Sequence, residues 1–207
     1  MIDYTPSTGL VVVDLQNDFA DPAGSLAVAG GEQVVREANL HLDAAIAAGA
    51  TIVFTQDWHP LETPHFAEFG GRWPVHCVQD TWGAELHPDL LVRRPSVHKG
   101  QGTGDGYSGF SEHDSRETVA ADGAGEWPLP NRPQPTELAD LLRAGGAVEL
   151  VVLGLATDYC VRATALDART LGWPVRLPLD AVRAVDLQPG DGDRAVTEMQ
   201  AAGVQLA

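Results

Sequence analysis

Hydrophobic positions along the chain form short apolar runs separated by longer amphipathic stretches. The short runs are rich in Val, Leu and Ile, as buried strands are, and cover residues 9–13, 51–55, 148–153, 175–177 and 204–206. The longer stretches carry apolar side chains at helical spacing and cover residues 32–48, 137–142, 163–171 and 195–202. This alternation predicts an α/β fold in which a doubly wound, mainly parallel sheet has helices on both faces.

The composition suits one globular domain and narrows the range of partners. The chain has 207 residues, 44% of them hydrophobic, and no linker-like segment, so we expect a single domain over residues 1–207. A net charge of −16 argues against nucleic acid and anionic membranes as partners. The N-terminus lacks signal-peptide features and two cysteines are too few for a disulfide framework, which predicts a cytoplasmic protein with free thiols.

A cysteine stands where the central predicted strand passes into a helix. Thr157 and Asp158 are good N-cap residues, so we expect Cys160 in the first helical turn. The helix dipole and unpaired N–H groups there would lower the thiol pKa, and the same groups would hold a negative oxygen. The pattern therefore suits a nucleophilic cysteine, although a buried cysteine acting as a small hydrophobe also fits it.

Two charged residues follow other predicted strands and are expected near the cysteine. Asp14 follows the first apolar run, and Lys99, the one lysine of the chain, precedes a Gly-rich loop. The carboxyl ends of parallel strands lie at one edge, so Asp14, Lys99 and Cys160 can converge there. This set suits acyl transfer, because Asp14 can take the thiol proton and Lys99 can stabilise the charges. Backbone N–H groups near Ala156 and Cys160 would hold the oxyanion. The alternative for Asp14 is a loop or helix-cap aspartate.

A second group of candidate ligands follows the second predicted strand. Asp57, His59, His65 and His76 fall within 20 residues of sequence. Mixed imidazole and carboxylate ligands suit borderline divalent ions, so this group predicts a site for Zn, Fe or Mn. A solvated polar loop is the alternative, and Cys77 is either a fourth ligand or a packed thiol.

Several short motifs occur in an order that is specific to one family. They are Val13-Asp14-Leu15-Gln16-Asn17-Asp18-Phe19, Gly24-Ser25-Leu26, Asp57-Trp58-His59-Pro60, Trp73-Pro74-Val75-His76-Cys77, Lys99-Gly100, Tyr107-Ser108-Gly109-Phe110 and Ala156-Thr157-Asp158-Tyr159-Cys160-Val161. With these motifs the chain resembles the nicotinamidases (pyrazinamidases) within the isochorismatase-like cysteine hydrolases, from about residue 9 to residue 206.

The resemblance implies a fold and a set of catalytic residues. The implied sheet has six mainly parallel strands, and the implied catalytic triad is Asp14, Lys99 and Cys160. A cis peptide bond before Ala156 is implied to turn the N–H groups of Ala156 and Cys160 toward the substrate oxygen. The implied metal ligands are Asp57, His59 and His76, with His65 matching a further ligand that a subset of the family uses.

The resemblance also implies a reaction and a substrate pocket. The reaction is hydrolysis of nicotinamide to nicotinate and ammonia through a thioester on Cys160, a step of NAD salvage, with pyrazinamide as another substrate. The metal holds the ring nitrogen of nicotinamide, and Phe19, Trp73 and Tyr107 match walls of the ring pocket. Self-association into a homo-oligomer is implied as well.

Three alternatives stay open from the sequence. The loop between Lys99 and Tyr107 is slightly extended and residues 111–135 match no family motif, so the substrate could be another small amide, a carbamoyl or a ureido compound. A metallohydrolase would activate a metal-bound water and leave Cys160 structural. A non-catalytic binding protein is the third alternative, and the presence of Asp14, Lys99 and Cys160 together argues against it.

Overall fold

A parallel sheet forms the centre of the protein in the computed structural model, which describes residues 2–92, 96–102, 106–110 and 137–207. Its strands are β1 Thr8–Val13, β2 Thr51–Asp57, β3 Ser96–Lys99, β4 Glu149–Leu155, β5 Val175–Leu177, β6 Val182–Arg183 and β7 Gln205–Leu206. The strand β3 ends at Lys99, where a strand end was predicted, and the short β6 was not predicted. Each of the other five strands lies within three residues of an apolar run predicted above. The predicted strands are therefore present, with bounds shifted by a few residues.

The strand order is β3-β2-β1-β4-β5-β7, and every ladder is parallel. The mainly parallel sheet predicted from the sequence is thus confirmed. The strand count differs, since seven strands are described rather than six. The extra strand arises beside β4, where β5 pairs with Leu150 and Val151 and β6 pairs with Gly154 and Leu155. Two short strands therefore lie one after the other along the same edge of β4.

Helices cover both faces of this sheet, as predicted. They are α1 Asn17–Ala20, α2 Gly31–Ala48, α3 Glu137–Ala144, α4 Arg162–Thr170 and α5 Asp191–Ala201. Short 3-10 turns lie at Ala67–Phe69, Trp82–Ala84 and Leu179–Ala181, and a π-helical turn at Thr157–Val161 joins β4 to α4. None of the described helices combines the length and the apolar character that crossing a bilayer requires.

Alternate side chains of β1 explain how the two faces are filled. Leu10 and Val12 pack with the apolar side of α2 in one cluster, whereas Val11 and Val13 pack with α3, α4 and α5 in the other. All six residues of β1 are buried, as expected for a central parallel strand covered on both faces. That residues 1–207 form a single domain stays a prediction, and residues 111–135, which match no family motif, lie outside the described residues.

Gly154 allows β4 to approach β1 at the end that carries the functional residues. Its φ is +123°, and a Cβ at this position would lie 2.0 Å from the backbone oxygen of Val13. Gly172, at the end of α4, also has a positive φ of +96°, but a Cβ there would meet nothing within 4 Å. A side chain at either glycine would therefore strain the backbone, but only a side chain at Gly154 would also clash with a neighbouring strand.

We expect Gly154→Ala to destabilise the fold much more than Gly172→Ala. The backbone conformation alone should lower the free energy of unfolding by ~1–2 kcal/mol in each variant. In Gly154→Ala the clash with Val13 adds to this penalty, so the total loss should exceed ~3 kcal/mol. Urea unfolding measures both losses, and equal values for the two variants would contradict the steric argument.

Candidate active site

Four neighbouring strands deliver polar side chains to one edge of the sheet. Lys99 is the last residue of β3, Asp57 is the last residue of β2, and Asp14 directly follows β1. The turn after β4 carries Cys160. The strands β2 and β3 are added on one side of β1, and β4, β5 and β7 on the other side, so the strand order reverses between β1 and β4. Open α/β sheets place their binding sites at such a reversal of strand order.

The ammonium of Lys99 lies between three acceptors. Its Nζ is 2.8 Å from Oδ2 of Asp14, 2.5 Å from Oδ1 of Asp57 and 3.3 Å from Sγ of Cys160. Burial alone would lower the pKa of Lys99, but the neighbouring carboxylates of Asp14 and Asp57 and the thiol of Cys160 raise it well above its usual value. Lys99 is therefore a permanent cation, and the structure brings together the three residues of the predicted triad.

Asp14 is held on both sides of its carboxylate. Its Oδ1 accepts a 2.7 Å hydrogen bond from the hydroxyl of Thr55, and its Oδ2 faces Lys99. The residue is fully buried, and its φ of +47° turns the chain sharply after β1. Burial raises the pKa of Asp14, while the Lys99 ammonium opposes the shift. A raised pKa suits a group that must take up and return a proton near neutral pH.

Cys160 lies in the π-helical turn rather than in the first turn of an α-helix. The peptide bond between Leu155 and Ala156, just before this turn, is cis, as the resemblance implies. Asp158 does not cap the helix as predicted, because its carboxylate accepts the N–H groups of Val185 (3.0 Å) and Asp186 (2.9 Å) instead. Asp158 thus ties the turn to the segment after β6.

The predicted lowering of the Cys160 pKa is wrong. Burial raises the pKa of the thiol well above its usual value, and the nearby Lys99 ammonium opposes the shift without reversing it. Cys160 is 5% exposed, so desolvation of a thiolate outweighs the helix-end effect expected from the sequence. The resting thiol keeps its proton and needs a base to become a nucleophile. The backbone oxyanion site at Ala156 and Cys160 stays a prediction, although both residues line the pocket described below.

Three histidines form a compact group beside this triad. The candidate ligand atoms of His59, His65 and His76 all lie within 4.8 Å of one another, and all three side chains are buried. Nδ1 of His59 donates to the carbonyl of Gly100 (2.9 Å), and Nδ1 of His76 donates to the carbonyl of Pro74 (2.7 Å). In the neutral rings these contacts leave each Nε2 with its lone pair available to a metal.

Two further observations fit a metal at the three histidines. Nε2 of His59 is buried and has no hydrogen-bond partner among the described residues, which is unusual for a buried polar atom. Burial lowers the pKa of His76 to about 4, so its imidazole is neutral, as ligation requires. Cys77 is fully buried with its Sγ 3.8 Å from the carbonyl of Gly83, and it is outside the three-histidine group.

Asp57 connects the histidine group to the triad. Its Oδ1 contacts Lys99, and its Oδ2 lies 3.6 Å from Nε2 of His59. Burial would raise the pKa of Asp57, but Lys99 and then His59 hold it well below its usual range. Gly100 permits this arrangement, because its φ is +68° and a Cβ there would come within 2.5 Å of the His59 ring. The structure thus places all four predicted ligands in one region, with Asp57 shared.

A pocket opens above the triad and the histidines. Its lining residues are Phe19, Leu26, Asp57, His65, Trp73, His76, Tyr107, Ala156, Tyr159, Cys160 and Val185. The three predicted pocket walls, Phe19, Trp73 and Tyr107, are among them. Leu26, Tyr159 and Val185 were not predicted as walls; of these, Tyr159 packs edge-on against Trp73 with ring centroids 4.9 Å apart.

The fold and this site belong to a known family. The sequence profile of the isochorismatase domain matches residues 8–126 and 134–207. Because these ranges span most of the chain, the chain belongs to the isochorismatase domain family.

Within that family the chain is similar to nicotinamidases and pyrazinamidases. The nicotinamidase of Escherichia coli (strain K12) is 38% identical over 219 residues, which cover 97% of this chain and 94% of the relative. The pyrazinamidase of Pyrococcus horikoshii, solved in complex with zinc, has a TM-score of 0.80 at 37% identity and covers 98% of this chain and 99% of its own. PnC1 from L. infantum, solved in complex with nicotinate, has a TM-score of 0.81 at 34% identity and covers 100% of this chain and 95% of its own. The resemblance drawn from the sequence motifs is confirmed.

We expect the purified protein to carry one divalent metal ion per chain and to lose it in His59→Ala. His98→Ala is the matched control, because His98 of β3 stacks on Trp58, the residue after β2 (ring centroids 4.2 Å), and is outside the three-histidine group. Metal content measured by mass spectrometry should fall in the first variant only. Since a bound metal stabilises the folded state, chelation should also lower Tm in wild type and in His98→Ala. Full metal content in His59→Ala would contradict the assignment.

Proposed function

We propose that this chain hydrolyses nicotinamide to nicotinate and ammonia, with Cys160 as nucleophile. The observation that carries the proposal is that one pocket is lined both by the Cys160 thiol and by His65 and His76. Nicotinamide has a carboxamide at one end and a ring nitrogen at the other. This pocket offers the Cys160 thiol to the carboxamide, and it offers metal ligands on the side where the ring nitrogen would bind. The nicotinamidase and pyrazinamidase relatives support the same substrate class.

The walls of the pocket suit a flat aromatic ring. Phe19 and Trp73 supply aromatic faces, and Nε1 of Trp73 donates a 2.9 Å hydrogen bond to the hydroxyl of Tyr107, which fixes both rings. A divalent metal held by Asp57, His59, His65 and His76 would, when bound, supply a Lewis-acid contact for the ring nitrogen of the substrate. Zinc is the first candidate because a relative was solved with zinc, and iron and manganese suit the same ligands.

The first half of the reaction forms a thioester. Asp14 takes the proton from the Cys160 thiol as Sγ attacks the amide carbon, and the negative charge moves to the amide oxygen. The N–H groups of Ala156 and Cys160 are proposed to hold that oxygen. When the tetrahedral intermediate collapses, the carbon–nitrogen bond breaks and Asp14 returns its proton to the leaving nitrogen, which departs as ammonia. Lys99 keeps the Asp14 carboxylate and the sulfur charge stabilised throughout.

The second half of the reaction consumes water. Asp14, again a carboxylate, takes a proton from a water molecule whose oxygen attacks the thioester carbon. Collapse of this intermediate breaks the carbon–sulfur bond, and the proton on Asp14 goes to the departing sulfur of Cys160. The products are the resting thiol and nicotinic acid, which releases its proton to become nicotinate, so one amide and one water yield one acid and one ammonia. A cytoplasmic location, self-association and the lack of nucleic-acid or membrane partners stay predictions.

We expect ammonia release from nicotinamide by the wild type and none above background by Cys160→Ala. Cys77→Ala is the matched control, because Cys77 is the other buried thiol and does not line the pocket. This variant should retain activity within a few-fold. A coupled ammonia assay measures all three proteins. Full activity in Cys160→Ala would favour a metal-activated water, and no release by a folded, metal-loaded wild type would redirect the search to carbamoyl and ureido substrates.

We expect Asp14→Asn to reduce kcat by roughly 10²–10⁴-fold, because the variant keeps the shape of the side chain and loses the base. KM should change little, because a group that acts only on the proton transfers of the transition state contributes to kcat and not to binding of the ground state. Thr55→Val is the control: it removes the 2.7 Å hydrogen bond to Asp14 and leaves the carboxylate, so its loss should be much smaller. Steady-state kinetics of both variants provide the comparison. A kcat in Asp14→Asn equal to that of wild type would exclude Asp14 as the base.

A further inference from the structure

The side chain of Gln16 contacts the backbone of Asp57 on both of its polar groups. Oε1 of Gln16 accepts the N–H of Asp57 at 2.8 Å, and Nε2 donates to the carbonyl of Asp57 at 2.7 Å. Nε2 also donates to the carbonyl of Ala84 at 2.9 Å. Gln16 is fully buried, so these bonds are made away from water.

The side-chain amide of Gln16 lies just beyond the end of the ladder between β1 and β2. The ladder between β1 and β2 ends at Val13 and Thr55, and the N–H of Asp14 makes a last bond to the carbonyl of Thr55 (3.2 Å). Asp57 lies two residues further along β2 and presents its N–H and carbonyl to the same side, where β1 no longer continues. The side-chain amide of Gln16 supplies the donor and the acceptor that one more residue of a neighbouring strand would supply.

We propose that Gln16 is a positioning residue for the metal site, acting by fixing the backbone of Asp57. The inference rests on the metal site proposed above. Asp57 must point one oxygen at Lys99 and the other toward His59, and this division depends on the orientation of the residue at the very end of β2. With its backbone locked on the β1 side by Gln16 and on the other side by pairing with β3, that orientation is set before a metal binds.

A purely structural role for Gln16 can be distinguished with a neighbouring glutamine. Nε2 of Gln56 also donates to the carbonyl of Ala84, at 2.7 Å, but among the described residues its side chain makes no hydrogen bond to the backbone of Asp57. If Gln16 serves only to anchor the Ala84 segment, then Gln56→Leu should resemble Gln16→Leu. If Gln16 positions Asp57, only Gln16→Leu should weaken metal binding.

The test is the zinc affinity of metal-free protein, measured by competition with a chromophoric chelator, together with the visible spectrum of the Co²⁺-loaded forms. Gln16→Leu should lose ~10–100-fold in zinc affinity, as removal of a group that orients a ligand typically does, and its Co²⁺ spectrum should shift. Gln56→Leu should stay within about threefold of wild type. In an Asp57→Ala background, Gln16→Leu should cause no further loss, because the two residues act as one unit.

The proposal is overturned if Gln16→Leu binds zinc as wild type does, if it loses equal affinity with and without Asp57, or if the wild type binds no zinc. Should Gln16→Leu fail to fold, Gln16→Glu keeps the acceptor and the shape of the side chain and takes its place. The readout is independent of turnover. If the variants show the expected zinc affinities but the wild type releases no ammonia, only the nicotinamidase proposal is refuted. If the wild type is active but the variants do not show the expected zinc affinities, only the role of Gln16 is refuted.

Discussion

The ammonium of Lys99 is the buried charge on which the arrangement of the site depends. Its three N–H donors match three acceptors, Oδ2 of Asp14, Oδ1 of Asp57 and Sγ of Cys160. A compact ammonium can serve partners in three directions, whereas the planar fork of an arginine serves acceptors in its own plane. Lys99 is the one lysine among 13 basic residues, and its ammonium lies where Asp14, Asp57 and Cys160 converge.

The sheet topology makes this convergence possible. Lys99, Asp57 and Asp14 come from the carboxyl ends of the adjacent strands β3, β2 and β1, and Cys160 follows the next strand, β4. Neighbouring strands in a sheet are ~4.8 Å apart, so residues at corresponding ends lie within reach of one ammonium. The apolar interior of the sheet fixes the strands, and the functional residues occupy the positions just beyond that support.

The sequence predicted which residues lie together at the site better than it predicted the pKa of Cys160. Strand ends and family motifs were enough to predict that Asp14, Lys99 and Cys160 lie together and that the histidines lie beside them. The pKa of Cys160 could not be predicted, since it depends on how far the thiol is buried, and burial outweighs the helix end. Leu26 and Val185 were missed for a related reason: aliphatic side chains in loops carry no signature of the pocket that they enclose. Of the two short strands beside β4, β5 was predicted, whereas β6 has only two residues and is too short to show a period.

Asp57 joins the proposed metal site and the proposed nucleophile, Cys160, in one electrostatic system. With Lys99 protonated and both carboxylates ionised, the buried set of Asp14, Asp57 and Lys99 carries a net charge of −1 beside three imidazoles. A buried excess charge is unfavourable unless it is compensated, and a divalent cation at the histidines would compensate it through Oδ2 of Asp57. The same cation would draw electron density from Asp57 and so leave more of the Lys99 charge to act on Asp14 and Cys160. Loss of the metal should therefore affect the thiol as well as the place where the substrate ring would bind, since one carboxylate contacts both.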